Sequence, residues 1–135
     1  MKSNKGLTII ELMIVIIIVG ILASVTIPIM QGRVDSARWS EGRAIMGIIA
    51  RALRTHIGEK NNAFTPVPTL TELGFESGDM DGTYFTGGES GTNDFSWVIN
   101  SNNPINYLIT ATAPAGISSP SQATLNHAGI FTETQ

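Results

Sequence analysis

Glu11 carries the most demanding chemistry in this 135-residue chain. It is the lone charged residue in the run 7–30, LTIIELMIVIIIVGILASVTIPIM. An ionised carboxylate inside so apolar a segment costs at least about 2.5 kcal/mol even on lenient insertion scales, so it calls for a partner and a function. Two partners are open to it. Lys5 can reach it by snorkelling back from the preceding residues. The other is a free α-amino group, created by a cut immediately before Leu7. Within one chain the carboxylate four residues on reaches that amine poorly. In a neighbouring chain shifted along the helix axis, one Leu7 amine lies beside another Glu11, and the pair fixes a stagger.

Other side chains suggest less. His56 and Glu59 stand three apart at the end of a helical pattern, a metal-ligand spacing that lacks a third ligand; a cation near a helix C-terminus is the simpler reading. Asp79-Met80-Asp81-Gly82 opens like an oxygen-rich calcium loop, and Glu89 and Asp94 add oxygens, but the full EF-hand spacing is missing. Asp79 and Asp81 are therefore the calcium candidates, set against an ordinary acidic, glycine-rich turn, and no other cofactor is called for. His127 sits in a predicted turn. Serines and threonines are abundant, yet no Gly-x-Ser-x-Gly nucleophile elbow occurs, so catalysis has little support. Arg33, Arg43, Arg51 and Arg54 raise nucleic-acid binding, but the acidic second half repels phosphate.

These groups need elements to hold them. Residues 1–6, MKSNKG, are polar, and Lys2 and Lys5 precede the apolar run, so this end is expected in the cytoplasm and the rest outside. The 24 residues 7–30 span roughly 36 Å as a helix, enough to cross a membrane once. A cleavable signal peptide is the competing reading, but no clear A-x-A site follows and Glu11 interrupts the apolar core. Pro28 removes a backbone donor, and Gly20 weakens the same stretch by roughly 1 kcal/mol, so a kink or local melting is expected there.

Over 31–58 the pattern turns amphipathic. Met30, Val34, Ala37, Ile45, Ile48, Ile49 and Ala52 are expected on one face, with Arg43, Arg51, Arg54, Ser36 and Ser40 opposite. Arg38 and Glu41 interrupt the apolar face and are placed to pair along the helix or with a neighbouring copy. Gly58 is expected to end the helix, and the loop 61–68, with Pro66 and Pro68, to connect onward. Thr69-Leu70-Thr71-Glu72 has capping-box spacing for a short helix stopped by Gly74. Strands are predicted over 94–100, 105–113 and 123–133, the last bent into a hairpin at 126–129, with 83–86 as an added edge. The fold class is α+β: a long N-terminal helix packed on a small antiparallel sheet in a head over 59–135. There is no cysteine, so disulfides play no part. Between Arg33 and Lys60 six basic residues face three acids; beyond Lys60 there is no Lys or Arg and seven acids, an asymmetry suited to charge-complementary packing between copies.

Gly6 followed by Leu7-Thr8-Ile9-Ile10-Glu11-Leu12 and a long apolar helix resembles the class III signal of type IV pilins and of the pseudopilins of type II secretion. Counting Leu7 as first, Glu11 is fifth and Pro28 twenty-second, the positions of that family's glutamate and proline. Leucine replaces the usual first phenylalanine. The resemblance implies a pilin-like fold, cleavage between Gly6 and Leu7 by a prepilin peptidase, and N-methylation of Leu7. It also implies assembly through Glu11 with Thr8, and melting between Gly20 and Pro28 in the filament. The implied product is a homo-oligomeric helical filament, extracellular or periplasmic, drawn from the inner membrane by an assembly platform and an ATPase. Some pseudopilin heads hold calcium, and the lack of cysteine leans toward a pseudopilin or a cysteine-free pilin. The competing class is a single-span, exported binding protein that never polymerises.

Overall fold

The computed structural model describes residues 6–60, 67–87 and 93–134. Its elements are one long helix, α1 (Ile9–Glu59), a short 3-10 turn (Thr71–Leu73), and four strands: β1 (Phe95–Asn102), β2 (Ile105–Thr112), β3 (Gln122–Asn126) and β4 (Phe131–Thr134). The chain divides into two compact units, Met1–Val34 and Asp35–Gln135. In the first, every described residue is exposed. In the second, the remainder of α1 and the sheet bury one core.

The α+β class expected from the sequence is the one observed. The sheet is wholly antiparallel in the order β1-β2-β3-β4, so each strand pairs with its neighbour in sequence. Alternation along β2 explains which side is buried: Tyr107, Ile109 and Ala111 face the helix, while Leu108, Thr110 and Thr112 face away. The strand at 123–133 does fold as a hairpin, β3–β4, about Asn126–Gly129. Asn126 shapes that turn by accepting the amides of Ala128 and Ile130 on its side-chain oxygen, each at 3.0 Å.

The phase of the buried helix face differs from the expected one. Trp39, Gly42, Met46, Ile49, Leu53 and Ile57 are buried in the core, with Ile45 and Ala50 beside them, whereas Val34, Ala37 and Ile48 are exposed. Gly42 is where the core comes closest: the Phe85 ring lies over it, and a Cβ there would meet Phe85 Cζ at 2.8 Å. Phe85 also stands edge-on to Trp39 (centroids 5.0 Å apart) and tilted against Phe95 (5.6 Å). Trp39 is fully buried, and its Nε1 donates to Pro120 O at 2.9 Å, which satisfies the polar atom of the largest core side chain.

Three further expectations are corrected. Gly58 does not end α1; the helix runs on to Glu59, and Lys60 N still donates to His56 O at 3.1 Å. Residues 83–86 form no edge strand, because the amides of Tyr84 and Phe85 are taken by the Glu41 carboxylate (2.8 and 3.0 Å) and that of Thr86 by Asp94 (2.8 Å). Arg38 and Glu41 do not pair with each other: Arg38 lies 3.7 Å from Asp35 and donates to Gly116 O at 2.6 Å. The capping box at Thr69–Glu72 does form. Thr69 N donates to the Glu72 carboxylate at 2.8 Å, Glu72 N donates to the Thr69 hydroxyl at 3.3 Å, and Gly74 follows in a left-handed conformation (φ 85°).

Candidate functional site

Gly6, Leu7 and Thr8 precede α1 in irregular, exposed backbone, with Leu7 72% exposed. The peptide bond between Gly6 and Leu7 thus lies outside the helix. Thr8 caps the helix: its hydroxyl accepts Glu11 N at 3.3 Å, and Leu12 N donates to its carbonyl at 3.2 Å. The same hydroxyl donates to Glu11 Oε2 at 3.4 Å. The structure therefore brings Thr8 and Glu11 together. The T-x-x-E spacing that announced the cap at Thr69 is equally present here, so this pair was legible. Lys5, the other candidate partner for Glu11, lies outside the described residues. Among the described residues no cation reaches the Glu11 carboxylate, which has one long hydroxyl bond for a group that needs a charged partner.

Seventeen large apolar side chains from Leu7 to Met30 are exposed, sixteen of them around the whole circumference of α1. Monomeric soluble proteins rarely expose a contiguous apolar surface of more than a few hundred Å², so this helix is built for lipid or for other helices. It is long and apolar enough to cross a membrane. Its few hydroxyls are satisfied within the helix, Ser24 Oγ donating to Ile21 O at 2.8 Å and Thr26 Oγ1 to Leu22 O at 2.9 Å. Pro28 lies inside the same helix and cannot donate to the carbonyl four residues back, that of Ser24. α1 nevertheless runs through Gly20 and Pro28 without a break.

In the second unit the acidic groups act on the backbone. Burial alone would raise the Glu41 pKa, but the N–H groups of Phe85, Tyr84 and Thr83 more than offset this and hold it below 4.5. Glu72 is likewise held below 4.5, first by Thr69 N–H and then by the Thr69 hydroxyl, with Lys60 and His56 adding to the effect. Asp35 is buried on α1 and accepts Ser118 N at 3.0 Å, which, with the Arg38 bond to Gly116, fastens the 114–121 loop to the helix. Sequence reading missed Asp35 and Glu41 as loop anchors.

The calcium candidates have local duties as well. Asp79 accepts Glu76 N at 2.8 Å and Asp81 accepts Gly87 N at 3.0 Å; Glu89 lies outside the described residues. Among the described residues no three acidic, His or Cys side chains gather as a metal site. His56 is the basic residue of the last turn of α1, as expected, and it is buried there, with Nδ1 3.2 Å from Glu72 O. His127 is exposed in its turn, as expected. Of the four arginines weighed for nucleic acid, Arg43 pairs with Glu133, and Arg54 donates to His127 O at 3.1 Å and covers the Tyr107 ring.

Comparison with known proteins converges on the N-terminal helix. Residues 1–27 match the family described as the prokaryotic N-terminal methylation motif. The chain is also similar to two proteins of Pseudomonas aeruginosa, each named fimbrial protein, with 40% identity over 89 residues, 62% of this chain and 56% of the relative. It thus spans about half the length of the curated relatives it matches. No solved structure gives a significant match. Both matches agree with the resemblance to type IV pilins drawn from Gly6, Glu11 and Pro28.

Proposed function

We propose that this chain is a pilin-type structural subunit. It is cut after Gly6 by a prepilin peptidase, methylated at Leu7, and held in the inner membrane by residues 7–30. It is then moved by an assembly platform and ATPase into a helical filament of its own copies. The observation that carries this reading is the exposed apolar helix with a single acid, Glu11, lacking a cationic partner among the described residues. Leader removal supplies that cation as the Leu7 amine of an adjacent copy. Lipid satisfies the apolar surface before assembly, and neighbouring helices satisfy it afterwards, each large side chain being worth about 1.5–3 kcal/mol when fully buried. The role is structural rather than catalytic.

The reading is tested by electron microscopy of material sheared from cells producing the chain with and without a prepilin peptidase. Filaments composed mainly of this polypeptide are expected only when the peptidase is present. A chain that stays in the membrane as separate copies under both conditions would instead be an exported, single-span protein that never polymerises.

A further inference from the structure

Resting on the assembly reading above, we propose that copies of this chain also meet through their second units: the outward side of α1 around Arg51 on one copy receives the acidic segment 72–81 of another. On α1, residues Ala44, Gly47, Ile48 and Arg51 are all exposed, and a Cβ at Gly47 would meet nothing within 4 Å. Ile48 is 47% exposed, an unusual position for an isoleucine on a helix whose other side is fully packed. The basic residues nearby are already engaged within the chain, Arg38 by Asp35, Arg43 by Glu133 and Arg54 by His127 O. Among the described residues Arg51 has no acid within ion-pair distance.

The complementary surface is on the same unit. Glu72, Glu76, Asp79 and Asp81 are exposed within ten residues, and the sequence beyond Lys60 holds no Lys or Arg. Among the described residues Glu76, Asp79 and Asp81 have no cation within ion-pair distance. Leu73 and Phe75, which alternate with these acids, pack against the core of their own unit and so hold the carboxylates on its surface. Opposite charges on two surfaces of one chain suit a head-to-tail contact, which repeats indefinitely where a self-facing one closes into a dimer.

The absence of cysteine makes the test clean. Arg51→Cys and Glu76→Cys are placed in separate full-length chains, produced together and oxidised mildly in the sheared filament fraction. Disulfide-linked dimers are expected from this pair, and not from Arg51→Cys with Thr132→Cys, whose threonine lies on the far side of the sheet. In a second experiment Arg51→Glu lowers filament yield about tenfold or more, and adding Glu76→Arg restores it to within about threefold. Filaments that form without bridging, together with unchanged yield from Arg51→Glu, would overturn this contact alone. If the unaltered chain forms no filaments, both this contact and the assembly reading fall.

Discussion

Two helix glycines respond in opposite directions to one substitution. Gly42→Ala gains about 1 kcal/mol of helix propensity, because alanine restricts the unfolded chain and glycine does not. The new methyl, however, falls 2.8, 3.0 and 3.1 Å from three atoms of the Phe85 ring. That ring is fully buried between Trp39 and Phe95 and cannot swing aside cheaply. Overpacking of this kind costs about 1–3 kcal/mol, so the net change is a loss of up to about 2 kcal/mol. Gly47 is one turn and a half further along the same helix and has open space where its Cβ would be, so Gly47→Ala keeps the propensity gain. For a head of this size each kcal/mol moves the midpoint by about 4–8 °C. The assay is thermal unfolding of the full chain in detergent, followed by near-ultraviolet circular dichroism and tryptophan fluorescence, to which the buried Trp39 contributes. Gly42→Ala should melt below the parent and Gly47→Ala above it, and Phe85→Leu should recover part of the loss in the Gly42→Ala background. If the two alanine variants were equally stabilised, Phe85 would not lie on the helix, and the account of how the 74–87 segment is held would be wrong.

Stability should fall on acidification in a specific window. Glu41 and Glu72 have folded pKa values below 4.5, so their contribution is complete above that pH and lost as pH drops through the folded values. Denaturant midpoints measured from pH 6 to pH 3 should therefore decline below about 4.5, and Glu41→Gln should make the decline shallower while lowering the plateau. In the membrane half, Glu11→Ala should leave insertion unchanged, since it removes a charge that opposes burial, yet reduce filament yield by at least about tenfold. Membrane fractionation and quantified filaments separate the two effects, and an undiminished yield would refute pairing through Glu11.

The N-terminal half of this molecule was legible because its signals are one-dimensional. An apolar run with one acid and one proline fixes a helix and its exposure without any knowledge of tertiary contacts. The strands were equally readable, since 105–112 alternates and Asn126-His127-Ala128-Gly129 is turn chemistry. The buried face of α1 was not. Between Ala44 and Leu53 apolar residues occur almost all the way round the helix, so period alone cannot say whether Met46 and Leu53 or Ile48 face the sheet. Trp39 and Gly42 decide the phase through their fit with Phe85, a residue more than forty positions away. The anchoring roles of Asp35 and Glu41 likewise depend on loops that fold back onto the helix. The place of His56 at the end of α1 was readable, but its burial depends on the 3-10 turn that covers it.

The central claim is that Gly6 marks a cut and Glu11 an assembly register. It is tested most directly by mass spectrometry of the N-terminal peptide taken from assembled material. The account predicts a polypeptide that begins at Leu7 and carries one N-methyl group on its α-amine. Assembled chains that retain residues 1–6 would contradict it, because the amine assigned to Glu11 would then not exist.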